Sequence, residues 1–252
     1  MKNNKIWLGI LAMTLAFGIT VVSCSSDDGD GPTGGNAGIP GTADGSLSIT
    51  NQQVWVFNNA GNLVHYDGVG SPHTIVCENV GGTGTISAAG ILTFNLAAGA
   101  ITPAMLESLE DAFEDMLDDR TTFSVTGAQA VFLDLAENGG AFWLSRELTR
   151  EEEVANGYNY TDEFVSFIYV DRNVTVSHPG GRFPNYYWDH SGIDYTNIAT
   201  LRAFRIYLQQ GWNIIRWHDT GTFRETSATT ATYNSTWSLY ADNPARLRWV
   251  KF

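Results

Sequence analysis

Short segments rich in β-branched and aromatic residues recur along this chain from Leu47 onward, separated by turn-forming residues. The main segments are 54–57, 63–66, 75–77, 91–96, 130–133, 141–144, 164–170, 201–208, 212–217, 232–239 and 247–252. Such spacing, without alternating long helices, is typical of antiparallel sandwiches and barrels. We therefore predict one mainly β domain over residues 47–252, an antiparallel β-sandwich or a barrel-like domain.

Turn residues between neighbouring segments indicate two hairpins. Residues 58–62 separate segment 54–57 from segment 63–66 and favour a hairpin with a five-residue loop. Residues 209–211 separate segment 201–208 from segment 212–217, so a second hairpin is expected there.

One segment has helical periodicity instead. Thr102 is a suitable N-cap, and Pro103 suits the first helical position. The apolar positions of this segment are Met105, Leu106, Leu109, Ala112, Phe113, Met116 and Leu117, and the acidic ones are Glu107, Glu110, Asp111, Glu114, Asp115, Asp118 and Asp119. The pattern predicts one amphipathic α-helix over about 103–119, packed on the sheet with its acidic face in solvent.

The first residues of the chain have the features of an export signal. Lys2 and Lys5 precede an almost entirely apolar run from Ile6 to Val22, and polar residues follow. The sequence Val21-Val22-Ser23-Cys24 resembles the lipobox of bacterial lipoproteins, in which the cysteine is acylated and becomes the mature N-terminus. The resemblance implies that residues 1–23 are a removed signal peptide. It also implies that Cys24 carries acyl chains, palmitate among them, which attach the protein to a lipid bilayer.

The residues after Cys24 bear on localisation. In lipoproteins of this kind, Ser25 after the cysteine favours the outer membrane, and the acidic residues Asp27, Asp28 and Asp30 resemble a surface-export signal. Residues 24–46 contain mostly Gly, Asp, Pro, Ser, Thr and Asn, a composition that predicts a flexible tether. We expect a lipid-anchored protein of the cell envelope, with the outer membrane favoured and surface exposure as one option.

Charge and cysteine content exclude several classes of protein. The chain has 14 Lys and Arg against 27 Asp and Glu, a net charge of −13, which argues against a nucleic-acid partner. Its two cysteines cannot form a disulfide-dense scaffold. Because Cys24 is assigned to acylation, Cys77 has no disulfide partner and is interpreted as a small buried residue.

No catalytic motif is recognisable. The five histidines, His65, His73, His178, His190 and His218, have no zinc-site spacing, and no Gly-x-Ser-x-Gly motif supports a catalytic triad. His218 and Asp219 are adjacent, but neighbours in a strand point to opposite faces of a sheet. We predict no catalytic residue, no metal site and no cofactor.

The stretch from Ser177 to His190 is the most informative part of the body. Its two prolines and two glycines make a regular strand unfavourable, so a loop is predicted. The candidate ligand-binding residues of this loop are Arg182, Phe183, Tyr186, Tyr187, Trp188, Asp189 and His190. Aromatic rings beside polar groups suit sugar stacking or protein anchoring, while rings folded back over the core are the structural alternative.

Three functions follow as expectations. The first is a non-enzymatic envelope lipoprotein whose β-rich domain binds a protein or has a structural role. The second is a glycan-binding module that uses the aromatic loop 183–190, and the third is a hydrolase with a carboxylate-based site. The pairing of Gly84-Thr85-Ile86-Ser87 with Gly211-Trp212-Asn213 resembles β-rich lipoproteins of no known activity, so this resemblance implies none.

Overall fold

The computed structural model describes residues 43–58, 63–67, 73–77, 79–114, 117–137, 140–145, 150–183, 185–190, 192–241 and 248–251. In chain order the strands are β1 (Leu47–Phe57), β2 (Leu63–His65), β3 (His73–Cys77), β4 (Thr83–Ile86), β5 (Ile91–Leu96), β6 (Glu107–Ser108), β7 (Thr122–Phe123), β8 (Gln129–Phe132), β9 (Leu135–Glu137), β10 (Gly140–Ser145), β11 (Arg150–Val154), β12 (Gly157–Val170), β13 (Val174–His178), β14 (Gly181–Arg182), β15 (Tyr186–His190), β16 (Ile193–Leu201), β17 (Phe204–Leu208), β18 (Gly211–Ser227), β19 (Thr230–Ala241) and β20 (Arg248–Lys251). A 3₁₀ turn spans Pro103–Met105, and helix α1 spans Leu109–Phe113.

The longest strands form a central sheet. β12 pairs with β18 along its whole length, and β18 pairs with β19; both pairings are antiparallel. On its other side β19 pairs in parallel with β16, and β16 pairs antiparallel with β14 and β15. This arrangement places β14 and β15 beside β16, where the chain carries the aromatic residues singled out above.

Both faces of the central sheet are covered by apolar packing. Because side chains alternate along a strand, Phe167 and Tyr169 of β12 point to one face and Ile168 and Val170 to the other. The first pair packs in a core with residues of β1, β3, β4 and β5, and the second pair packs with α1, β13 and β17. The mainly β prediction is confirmed, and the layers are consistent with a β-sandwich.

One predicted hairpin is confirmed and the other is wrong. β1 and β2 pair antiparallel on either side of the predicted loop. β17, however, pairs with β13 rather than with β18, because the chain crosses between layers at residues 209–211. The side chain of Asn213 holds this crossing: it accepts a hydrogen bond from the Gln209 N–H and donates to the carbonyls of Gln209 and Gly211.

The described residues contain one α-helix packed on the sheet, as predicted, but it is shorter than 103–119. Residues before it pair as strand β6 with β8, so the helix begins only after Ser108, whose hydroxyl accepts from the Asp111 N–H. The predicted apolar face is consequently divided. Leu106 packs against the first core, whereas Leu109 and Phe113 are buried in the second.

The end of the predicted tether contacts the domain. The Tyr169 hydroxyl donates to the Ala43 carbonyl at 3.2 Å, and the Trp212 indole N–H donates to the Gly45 carbonyl at 3.1 Å. The predicted signal peptide, Cys24 and tether residues 24–42 lie outside the described residues. Within the ranges given above, no helix has the length and the apolar character needed to cross a bilayer.

Candidate functional site

The predicted loop of aromatic residues is largely made of strands. Gly181–Arg182 form β14 and Tyr186–His190 form β15, both paired with β16, so the loop prediction is wrong over these residues. Of the two glycines, Gly180 has a φ of +79° and precedes β14, whereas Gly181, with a φ of +129°, is the first residue of that strand. The two glycines therefore do not prevent short strands from forming in this stretch.

Among the described rings of this group, Phe183 is the one that packs inward. Its centroid lies 5.5 Å from that of Trp237, and the Arg120 guanidinium carbon lies 6.0 Å from the ring centroid. Both rings pack at the edge of the second core. For Phe183 the structural alternative is therefore the correct one, since its ring covers apolar side chains.

Tyr186 and Tyr187 are displayed instead. Their exposed fractions are 54% and 66%, and successive residues of a strand point to opposite faces. The Tyr187 hydroxyl accepts a hydrogen bond from Asn185 Nδ2 at 3.1 Å, and Arg182 donates to Asn185 Oδ1 at 2.8 Å. Asn185 therefore links Arg182 to Tyr187 and limits the directions that the exposed ring can take.

The remaining predicted residues also lie on β15. Asp189 is exposed and stands directly opposite Asp194 of β16. The backbones of Trp188 and His190 belong to the same strand, while their side chains lie outside the described part. Among the described residues β15 pairs with β16 alone, so its other edge has no strand partner there. We call β15, with Tyr186 and Tyr187, the tyrosine edge.

A polar cluster braces the chain just before the tyrosine edge. His178 Nδ1 accepts from the Gly180 N–H at 2.9 Å, so its Nε2 carries the proton donated to Asp118 Oδ1, also at 2.9 Å. Arg120 forms an ion pair with Asp118 and donates to the Gly180 carbonyl. The Arg120 hydrogen bond, followed by that of His178, holds the pKa of Asp118 well below its usual range despite partial burial. The acidic side chains of residues 107–119 were expected to face solvent, but Asp118 is partly buried and contacts Arg120 and His178.

A second site, not predicted from the sequence, is a pair of carboxylates on the central sheet. Asp162 of β12 stands directly opposite Asp219 of β18, and Asp219 stands opposite Trp237 of β19. Directly paired residues share a face, so the two carboxylates lie side by side. Asp162 is 5% exposed, Asp219 Oδ1 is buried, and the Tyr160 hydroxyl donates to Asp219 Oδ2 at 3.4 Å.

The surroundings of this acidic pair favour its protonated form. Burial raises the pKa of Asp219 to about 8, the Asp162 carboxylate adds to the rise, and the Trp237 and Tyr160 side chains oppose it. One proton is therefore retained on Asp219 at neutral pH. Paired carboxylates of unequal acidity are used by hydrolases. Because the fold encloses both carboxylates, we expect this pair to affect the pH dependence of stability and not to act on a substrate.

A third cluster lies on the opposite face of the same two strands. Glu163 forms an ion pair with Arg216, and its Oε1 lies 2.8 Å from His218 Nδ1. Burial raises the pKa of Glu163, but the His218 hydrogen bond and the Arg216 charge outweigh burial, and the net shift is downward. His218 and Asp219 thus point to opposite faces, as the alternation rule predicts.

The candidate ligand-binding residues lie on or next to β14 and β15, whereas the buried acids Asp162 and Asp219 lie on β12 and β18. The sequence contains no local signal for the Asp162–Asp219 pair, because the two residues are joined only by the register of β12 and β18. Within the described part of the chain, no group of three or more His, Cys, Asp or Glu side chains is arranged to hold a metal ion. Cys77 is buried, as predicted, and burial raises the pKa of its thiol.

Comparisons with known proteins identify no relative of this chain. No family model, no curated protein and no solved structure matches this chain. Function is therefore inferred from the residues themselves.

Proposed function

We propose that this chain is a non-enzymatic, membrane-anchored lipoprotein of the bacterial envelope whose β-rich domain binds a protein partner along the tyrosine edge. The observation that carries the proposal is the exposure of Tyr186 and Tyr187 on a strand with no described partner on its outer edge. Large amphipathic rings are the residue type most enriched at the centres of protein interfaces.

The backbone of β15 supports the same proposal. An unpaired edge presents alternating N–H and C=O groups that an extended segment of another protein can pair with. Tyr186 and Tyr187 point to opposite faces, so each can contact a different side of such an added strand. The hydrogen bonds from Arg182 through Asn185 reduce the entropy lost when the Tyr187 ring is ordered.

The membrane anchor is the part of the proposal that rests on the lipobox resemblance. Replacing Cys24 with alanine is expected to abolish incorporation of a palmitate probe and to leave the uncleaved precursor, because acylation and cleavage both require the thiol. Labelled cells expressing the full chain and the C24A variant are compared by gel. Labelling that is unchanged in the variant contradicts the lipoprotein proposal.

Site-specific photocrosslinking tests the binding proposal. With p-benzoylphenylalanine in place of Tyr187, irradiation of intact cells is expected to give one discrete adduct of the chain. The same residue in place of Val76, which is 36% exposed on β3, is the matched control and is expected to give none. Tyr186→Ser should reduce the adduct at position 187 at least fivefold. No adduct, or the same adduct from both positions, contradicts the proposal.

A glycan-binding module is the second candidate. It is favoured by the exposed ring of Tyr187 next to the polar side chains of Arg182 and Asn185, since sugars stack on rings while their hydroxyls bind neighbouring polar groups. Binding of the purified full chain to a glycan array, lost in Y187A, would favour this candidate over a protein partner.

A further inference from the structure

Two exposed acidic side chains lie on one face of the sheet at the tyrosine edge. Tyr187 and Asp189 of β15 share a face because they are two residues apart, and Asp194 of β16 joins them because it pairs directly with Asp189. Tyr187, Asp189 and Asp194 are all exposed. An exposed aromatic ring therefore stands beside two carboxylates on neighbouring strands.

The two carboxylates repel each other in the isolated domain. Like charges directly opposite on paired strands are destabilising. Among the described residues neither Asp189 nor Asp194 has an ion-pair partner, and Arg182 donates to Asn185. A cation placed between Asp189 and Asp194 would remove this repulsion, and it would lie near the Tyr187 ring.

We propose that the tyrosine edge binds an extended basic peptide segment, with a Lys or Arg side chain received between Tyr187 and the Asp189–Asp194 pair. This inference rests on the proposed protein binding and names the chemistry of the partner. A cation near the face of a tyrosine ring and opposite two carboxylates gains cation–π and Coulomb attraction together. The net charge of −13 attracts such a segment before contact.

The strand geometry also constrains the residue next to the cation. Side chains of an added strand alternate between the two faces, so the position adjacent to the basic residue lies on the face of Tyr186. Tyr186 is 54% exposed and offers an apolar ring surface there. The segment is therefore expected to alternate basic and apolar residues.

Fluorescence anisotropy with the purified full chain tests the inference. The probe is a labelled eight-residue peptide of alternating lysine and valine, and a peptide of alternating glutamate and valine is its counterpart. The lysine peptide is expected to bind at least tenfold more tightly. Methylation of its backbone nitrogens on the pairing edge should abolish binding, because a methylated nitrogen cannot donate a hydrogen bond to a carbonyl of β15.

Charge-matched variants separate a local effect from the overall charge. The double variant D189N/D194N is expected to weaken binding of the lysine peptide about tenfold, which corresponds to about 1.4 kcal/mol. E110Q/E114Q, in which two exposed acids of the α1 region are neutralised, changes the net charge equally and is expected to change affinity less than twofold. Equal losses in both variants, or equal binding of both peptides, overturn the inference.

The outcomes distinguish failure of basic-peptide binding from failure of protein binding along the tyrosine edge. If the photocrosslinked adduct at position 187 forms normally in the D189N/D194N variant and the lysine peptide does not bind, the partner is a protein of other chemistry. If no adduct forms, the proposed protein binding itself fails. Glycan-array binding without peptide binding assigns the tyrosine edge to a sugar and overturns the inference.

Discussion

Replacing Asp219 with asparagine is expected to stabilise the protein at pH 9 by about 3–5 kcal/mol and by much less at pH 5. Burial, with the Asp162 carboxylate beside it, raises the folded-state pKa of Asp219 to about 8, against an ordinary value of 3.8. Between pH 4 and pH 8 the folded protein therefore binds a proton that the unfolded chain has lost. Its free energy of unfolding falls as the pH rises through this range, by about 1.4 kcal/mol per unit.

Asparagine has the shape of the protonated aspartic acid and carries no charge, so D219N should remove this pH dependence. The measurement is urea unfolding of both proteins at pH 5, 7 and 9. D194N, at an exposed position of the same sheet, is the control and should follow the wild-type profile. Arg216 and His218, which could neutralise an ionised Asp219, point to the other face. Parallel profiles for wild type and D219N would show that the buried pair holds no extra proton.

Local patterns in the sequence predict the fold well where pairing is local. Segments 54–57 and 63–66 are separated by five residues, and their strands pair antiparallel as the hairpin pattern predicts. The second hairpin has the same appearance in sequence, yet the Asn213 side chain redirects the connection between layers. Whether a short connection joins partners in one sheet or crosses between sheets depends on side-chain contacts that periodicity does not report.

The helix shows a similar limit. Its apolar spacing predicts one face over about 103–119, but the backbone of residues 107–108 pairs with β8 and interrupts it. Intrinsic helical preference is weak, so a few sheet hydrogen bonds and the packing of Leu106 against the first core are enough to override it.

The candidate site was predicted in part. Residue types alone identify Tyr186 and Tyr187 as ring-bearing candidates, while their exposure depends on β15 lying at a sheet edge. The neighbouring Phe183, equally aromatic, is held inward by Trp237. The partnership of Asp189 with Asp194, like that of Asp162 with Asp219, is set by strand register, which a single sequence does not specify.

Removing the Glu163 carboxylate is the second large effect that we expect. E163A should lower the free energy of unfolding at pH 7 by about 3–4 kcal/mol, because the side chain of Arg216, only 12% exposed, loses the carboxylate it contacts. His218 loses its Nδ1 partner as well. Because the folded-state pKa of Glu163 is lowered, the stability it contributes is present above about pH 4.5 and is lost as the pH falls further.

Two comparisons separate the charge of Glu163 from its packing. E163Q keeps the shape of the side chain, so it should lose less stability at pH 7 than E163A. Because glutamine does not titrate, the free energy of unfolding of E163Q should also fall less between pH 7 and pH 3.5 than that of the wild type. The double variant E163L/R216M replaces both charges with apolar groups of similar volume, and it should recover most of the loss, since buried ion pairs exchange for apolar packing at little net change. Urea unfolding at pH 7 and pH 3.5 measures all three. If E163L/R216M is as unstable as E163A, neutralisation of Arg216 is not the source of the stability that Glu163 contributes.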